Sequence, residues 1–135
     1  MALVKKGKYY YGDGVDDLIS ELESYSESNK YPIGKTEKVM CKSCGNSLFR
    51  LFSDDDETAA VVQCLHCDER QFVRDSEEFL NKNLDNFECI CGNDEFQIAI
   101  GLSLYVDTND VRWVYVGGYC LKCGLVGNYI DWNER

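Results

Sequence analysis

The chain has a single histidine, a single proline and no segment with an excess of positive charge, in 135 residues that carry 14 Lys and Arg against 24 Asp and Glu. Residues 1–40 hold six basic against seven acidic side chains, residues 41–80 four against nine, and residues 81–135 four against eight. Nonspecific binding to nucleic acid needs cations that displace phosphate counterions, so this balance disfavours it, although a whole-chain sum does not describe a local patch. No stretch approaches the roughly 20 apolar residues that span a bilayer, and Met1-Ala-Leu-Val-Lys-Lys-Gly7 lacks the apolar run of a signal peptide. The expectation is a cytoplasmic protein without membrane contact, in a compartment where thiols stay reduced. With His66 as its only imidazole, the sequence shows no nucleophile–base arrangement. Nothing in it points to an enzyme.

What is present is a folded, cysteine-organised chain. Hydrophobic residues make up 44%, with six Phe, nine Tyr and two Trp, which excludes a disordered composition. All eight cysteines fall into four short pairs: Cys41-Lys-Ser-Cys44, Cys64-Leu-His-Cys67, Cys89-Ile-Cys91 and Cys120-Leu-Lys-Cys123. Three pairs run straight into glycine, at Gly45, Gly92 and Gly124. Pairs of this kind point to two tetrathiolate metal sites, with two zinc ions as the cofactors and iron as the less favoured metal. Sulfur ligands alone do not separate the two metals.

The chemistry explains the spacing. Zinc binds thiolates tetrahedrally at about 2.3 Å. Two cysteines separated by two residues reach one ion when the backbone between them folds into a knuckle, and a glycine after the second suits a positive φ. Each hairpin then brings its own two knuckles together, so Cys41, Cys44, Cys64 and Cys67 form one site and Cys89, Cys91, Cys120 and Cys123 the other. An interleaved cross-brace is the competing topology, and the internal repeat argues against it. Cys89-Ile90-Cys91 is one residue short, so its knuckle must be tighter or distorted. Four disulfides would require an oxidising compartment. A redox Cys-x-x-Cys sits at a helix N-terminus, whereas these pairs border strands. His66 lies within a knuckle where four thiolates are already available, so it is a turn residue. A filled ligand set also argues against catalytic zinc, which keeps a position open.

Along the chain, residues 3–12 are a short strand or extended arm ending at Gly12-Asp13-Gly14. Val15, Leu18, Ile19, Leu22 and Tyr25 then fall at helical spacing over 15–27, with Asp16 and Asp17 in the first turn, where the helix dipole favours anions. Pro32 lies past its end. Residues 28–38 have the composition of a linker. The first unit has strands over 47–53, 58–63 and 70–74, with an acidic turn at Asp54-Asp55-Asp56-Glu57. A short helix follows, with Asp75 and Glu78 as its capping box and Phe79 and Leu80 packed back on the ribbon. Residues 81–86 form the next linker. The second unit opens with Phe96, Ile98, Ile100, Leu102, Leu104 and Val106 alternating with smaller or polar residues, the clearest strand in the chain. It turns at Asp107–Asp110, returns over 111–116 and continues at 125–130. The units share Cys-Gly-Asn-x-x-Phe, since Gly45-Asn46 and Phe49 match Gly92-Asn93 and Phe96. The pairs are 19 residues apart in the first and 28 in the second, and duplication is the simplest account. Units of roughly 35–40 residues bury too little surface to be stable alone, and a structural zinc contributes on the order of 10–16 kcal/mol of apparent binding energy.

The expected fold is therefore mainly β with small α additions. An arm and helix occupy 1–38, a first ribbon with its short helix 39–86, and a second, longer ribbon 87–135. Over roughly residues 39–130 the cysteine pattern resembles the zinc-ribbon group. More narrowly it is similar to small bacterial tandem-ribbon proteins of unassigned function, with an N-terminal helix, an Asp-Asp-Asp-Glu turn and a closing Val-Arg-Trp-x-Tyr-Val strand. The resemblance implies the eight cysteine ligands and brings no activity or substrate. The acidic turn is similar in placement to the hairpin tip of transcript-cleavage factors, which helps hold Mg²⁺ in a polymerase active site. It lacks their neighbouring basic residue, and a solvated turn is the plainer account. Trp113, Tyr115, Tyr119, Tyr129 and Trp132 would be a stacking platform for single-stranded nucleic acid if exposed; with little Lys or Arg among them, packing between the ribbons is favoured. The leading functional expectation is a non-enzymatic adaptor that binds another protein. A transcription- or nucleic-acid-associated ribbon is the first alternative, and a redox or metal-responsive protein the second.

Overall fold

The structure is a computed structural model that describes residues 3–7, 9–54, 59–74, 76–79 and 84–133. Among the described residues, ten strands form one antiparallel sheet: β1 (Val4–Lys6), β2 (Tyr9–Tyr11), β3 (Ile33–Lys38), β4 (Phe49–Asp54), β5 (Ala60–Cys64), β6 (Arg70–Phe72), β7 (Leu84–Asn86), β8 (Phe96–Leu104), β9 (Val111–Cys120) and β10 (Leu125–Asn133). Helix α1 spans Val15–Ser28, and Ser76–Phe79 forms a single helical turn. The main strand order is β1-β2-β10-β9-β8-β4-β5-β6, with β3 beside β8 and β7 beside β4. Among the described residues, no helix is long and apolar enough to cross a membrane.

Each repeat folds as a knuckle, two antiparallel strands, a second knuckle and a third strand. The registers coincide. Phe49 lies opposite Cys64 in the first unit, and Phe96 opposite Cys120 in the second. Likewise Gln63 faces Arg70, and Tyr119 faces Val126. The units meet where β4 and β8 run antiparallel with Phe49 opposite Phe96, so equivalent residues pair with each other. This is the geometry of a two-fold contact inside one chain.

The segments with linker-like composition complete that symmetry. Residues 33–38 are strand β3, which pairs with the first strand of the other unit: Lys38 faces Ala99 and Glu37 faces Ile100. Residues 84–86 are strand β7, and they do the same in reverse: Asn86 faces Phe52 and Asp85 faces Ser53. Lys38 and Asn86 each precede their first knuckle by three residues. Val39 N–H donates to Ile98 O at 2.9 Å, and Phe87 N–H to Leu51 O at 2.9 Å, which extends the match by one step. Polar composition concealed these strands because they are short and largely solvent-facing, and their ladder partners lie far away in sequence.

One face of the sheet buries Phe49, Leu51, Val62, Phe96, Ile98 and Val116 in a core shared by both units. The other face is covered by α1, whose Leu18 and Leu22 are fully buried against Ala99 and Val126. Ala99, Gly101 and Ser103, the small alternates of the β8 pattern, are therefore buried too, Ala99 under α1 and Gly101 under Ile33. Gly117 permits the close approach: a Cβ there would lie 2.7 Å from Leu22 Cδ2 and 2.9 Å from Gly127 O. Asp17 is also buried, and its Oδ2 accepts the Asp13 N–H at 2.7 Å, which ties the chain before α1 to the helix's first turn. At the other end, Ser26 Oγ donates to Glu23 O and accepts the Ile33 N–H, joining α1 to β3.

Other expectations shift. The arm is a two-stranded hairpin that adds to β10, with Tyr11 opposite Leu125. Strand β8 stops at Leu104, and Tyr105 and Val106 lie in the exposed turn. The last strand runs on to Asn133 and buries Trp132. Asp54, assigned to a solvated acidic turn, ends β4 and is buried; Asp55, Asp56 and Glu57 lie outside the described residues. Asp75 and Leu80 lie outside them as well, so the capping box is not described. The aromatic residues form no open platform. Trp113 stacks on Tyr31 at 4.5 Å, and buried Tyr115 donates its hydroxyl hydrogen to Tyr31 O, so both pack beneath the segment leaving α1. Tyr129 packs on Phe87 and Phe96.

Candidate metal centres

Knuckle geometry starts from the backbone. In three knuckles the residue after the second cysteine donates its N–H to the first cysteine's carbonyl four residues back: Gly45 to Cys41, Asp68 to Cys64 and Gly124 to Cys120. In the short pair Gly92 closes onto Cys89 only three residues back, at 2.8 Å. The missing residue is thus absorbed by a tighter turn with the same exit. All four closing residues have positive φ: 79° at Gly45, 63° at Asp68, 91° at Gly92 and 85° at Gly124. Asp68 stands where the other knuckles have glycine, in a conformation aspartate tolerates better than most residues.

The four knuckles gather the eight sulfurs into two groups, Cys41, Cys44, Cys64 and Cys67, and Cys89, Cys91, Cys120 and Cys123, each with all Sγ atoms within 4.8 Å of one another. Cys41–Cys67 and Cys44–Cys64 approach to 3.5 Å, Cys89–Cys123 to 3.4 Å and Cys91–Cys120 to 3.6 Å. A disulfide needs about 2.05 Å, and all eight cysteines are free. Sulfurs about 2.3 Å from a common ion in a tetrahedron lie roughly 3.8 Å apart. The cages therefore fit a tetrahedrally held metal ion, and the grouping follows sequence order, not a cross-brace. In each pair the first cysteine is buried and the second faces solvent. His66 is exposed in its turn and contributes its backbone N–H to Cys64 Sγ at 3.4 Å.

A further pair of residues completes the cages. Asn46 Nδ2 donates to Cys64 Sγ at 3.5 Å and to Leu48 O at 3.0 Å. Asn93 Nδ2 donates to Cys120 Sγ at 3.3 Å and to Glu95 O at 2.8 Å. Asn46 O and Asn93 O accept the N–H groups of Cys41 and Cys89, each at 2.8 Å. Each asparagine thus ties the first knuckle to the buried sulfur of the second. The repeated Gly45-Asn46 and Gly92-Asn93 carry this signal in the sequence, where they align the two units.

These donors set the charge of the cages. Burial opposes ionisation of Cys64, but the Cys67 amide, the Asn46 side chain and the His66 amide outweigh it and bring the thiol down to about 6. Cys120 has the same balance, with burial set against the Cys123 amide, Asn93 and the Lys122 amide, and also falls to about 6. At Cys67 the Glu69 amide favours the thiolate, but desolvation and the three neighbouring sulfurs push it up to about 12. Burial raises Cys89 as well. Four thiolates cannot accumulate in so small a volume without a cation, and a bound metal supplies it. Searches against protein-family models, curated proteins and solved structures gave no match to the chain.

Proposed function

We propose that this chain is a non-enzymatic protein-interaction module built on two zinc ribbons in tandem, residues 39–86 and 87–135, with residues 1–38 as a helical cover. The observation that carries this is the composition of the two cages. Four sulfurs fill a tetrahedron, so a metal held there has no open position for a substrate, and its work is to fix the hairpins. The sulfur donors and tetrahedral spacing favour zinc, with iron as the competitor. The acidic balance of the chain favours a basic partner in the cytoplasm.

The test has two parts. Elemental analysis should find two zinc ions per chain, and chelation should unfold it; one ion, or iron with visible absorbance, would require another account of the cages. Capture from the source cells should return a protein that survives nuclease treatment. Salt-sensitive binding to single-stranded nucleic acid in its place would favour the transcription-associated alternative. Ready oxidation or metal exchange under mild peroxide would favour the redox alternative.

A further inference from the structure

A cavity of about 330 Å³ opens beside β10 just beyond the two residues that pair with β2. Tyr9, Tyr10, Tyr25 and Tyr129 line it, together with Glu21 from α1 and Glu88 from the approach to the third knuckle. Tyrosine ring faces are electron-rich and attract cations. Neither carboxylate is in an ion pair among the described residues, and burial raises the Glu21 pKa. Asn128, also in the lining, donates through Nδ2 to Asp131 but keeps a buried Oδ1 with no hydrogen-bond partner. A buried acceptor of this kind is costly to leave unpaired. Lys5 Nζ of the chain itself already lies 5.6 Å from the Tyr10 ring centroid, and the two carboxylates and the other tyrosine rings favour the same kind of ligand, a cation with N–H groups to donate.

The internal two-fold supplies a control. In the first unit Met40 stands in place of Glu88, Lys42 in place of Ile90, Phe72 in place of Asn128 and Val73 in place of Tyr129. The same ribbon therefore folds without an acid or a tyrosine at these positions. Tyr129 also packs on Phe87 and Phe96, so hairpin packing accounts for that ring but does not require the acid at Glu88.

We infer that this cavity is a binding site for an alkylammonium or guanidinium group, presented as a lysine or arginine side chain of a partner protein. The net charge of −10 favours the approach of such a partner. The inference rests on the interaction-module reading for who presents the cation, and it specifies where and by what chemistry that partner is held.

The test titrates the zinc-loaded full chain with three blocked tripeptides, Gly-Lys-Gly, Gly-Arg-Gly and the neutral Gly-norleucine-Gly, and follows backbone amide resonances. Saturable shifts at Glu88, Gly127 and Asn128 are expected with the two basic peptides, with affinity about tenfold above norleucine, the scale of one charge-assisted hydrogen bond. That affinity should fall with salt, and the double substitution Glu21→Gln with Glu88→Gln should remove about tenfold of it. Glu37→Gln, at the corresponding groove of the first unit, should change nothing. Equal binding of norleucine, shifts that do not saturate, or indifference to the double substitution in a protein that retains both metals would overturn the assignment. The lysine–norleucine comparison needs no variant, so it decides the question even if the double variant misfolds. A captured partner with no lysine-peptide binding sinks this site and leaves the interaction-module reading standing. Peptide binding with no captured partner does the reverse.

Discussion

Removing the Asn93 amide should weaken the second metal site alone. Its Nδ2 lies 3.3 Å from Cys120 Sγ, the buried sulfur held most acidic in that cage. A hydrogen bond to a charged acceptor is worth about 1.5–3 kcal/mol, and loss of an outer partner of a ligand lowers metal affinity by about 10–100-fold. These magnitudes agree, since each factor of ten is about 1.4 kcal/mol. N93A should therefore lose metal from its own cage at a chelator concentration about 10–100-fold lower than the native chain. N93D keeps the shape but sets a carboxylate beside thiolates, so it should lose more. The assay is competition between chain and chelator with Co²⁺, whose thiolate charge-transfer bands report each equivalent of metal. N46A should act on the first site through the 3.5 Å contact to Cys64 Sγ. Equal weakening of both sites by either substitution would refute the reasoning, because the donor would then act through global stability. No weakening would show that the backbone amides alone hold the sulfurs.

Gly117→Ala should destabilise the fold by about 1–3 kcal/mol in chemical denaturation, because the added Cβ meets the Gly127 carbonyl, which no rotamer change can move. Asp68→Gly should change stability by less than about 1 kcal/mol and keep both metals, whereas Gly124→Ala should cost more, since its Cβ would meet Gly12 O at 2.9 Å at a positive φ. Asp94 is held below the usual carboxylate range by the Asn86 amide and then by Arg50. Its folded pKa is the lower one, so its contribution is present above the unfolded value near 4 and is lost as pH falls through the folded value. D94N should remove that part of the acid dependence in unfolding curves taken with metal in excess. A protease site placed between residues 80 and 83 should give two fragments that stay together after cleavage, each with one metal, in gel filtration; separation of the fragments would contradict the crossed strand pairing.

The cages were legible because their chemistry is local. Four pairs, the glycines after them and the matching Phe49 and Phe96 suffice to predict which cysteines meet and in which order. The α1 stripe was equally plain, since its period survives in sequence and its Leu18 and Leu22 do the burying. What stayed hidden depends on residues distant in the chain. Ile33–Lys38 alternates poorly and carries three charges, and only β8, some sixty residues on, makes it a strand. Leu84–Asn86 is shorter still. Asp54 reads as one of a run of acids, yet it ends β4 opposite Leu84 and is buried there. The asparagines were visible as a repeat, but a side chain's hydrogen bond to a sulfur more than fifteen residues away is a property of the closed cage.

The crossed strands also bear on how a unit this small becomes part of a stable domain. A three-stranded hairpin buries little, and its first strand leaves one edge unpaired, which exposes ladder groups to other chains. Here β3, which leads into the first unit, pairs with the first strand of the second unit, and β7, which leads into the second, pairs with the first strand of the first. Each unit covers the open edge of the other, and Phe49 and Phe96 close the seam between them. Such an arrangement is self-complementary, as in an isologous dimer, and a duplication that fused two such subunits would preserve it. Fusion also releases the two copies from being identical. The second unit has the longer hairpin and the shorter first knuckle, and it carries the N-terminal hairpin and α1 on its side of the sheet. The first has methionine, lysine and valine where the second has glutamate, isoleucine and tyrosine. Two halves that differ in this way can share one scaffold and still present different surfaces, with a four-cysteine cage closing each hairpin.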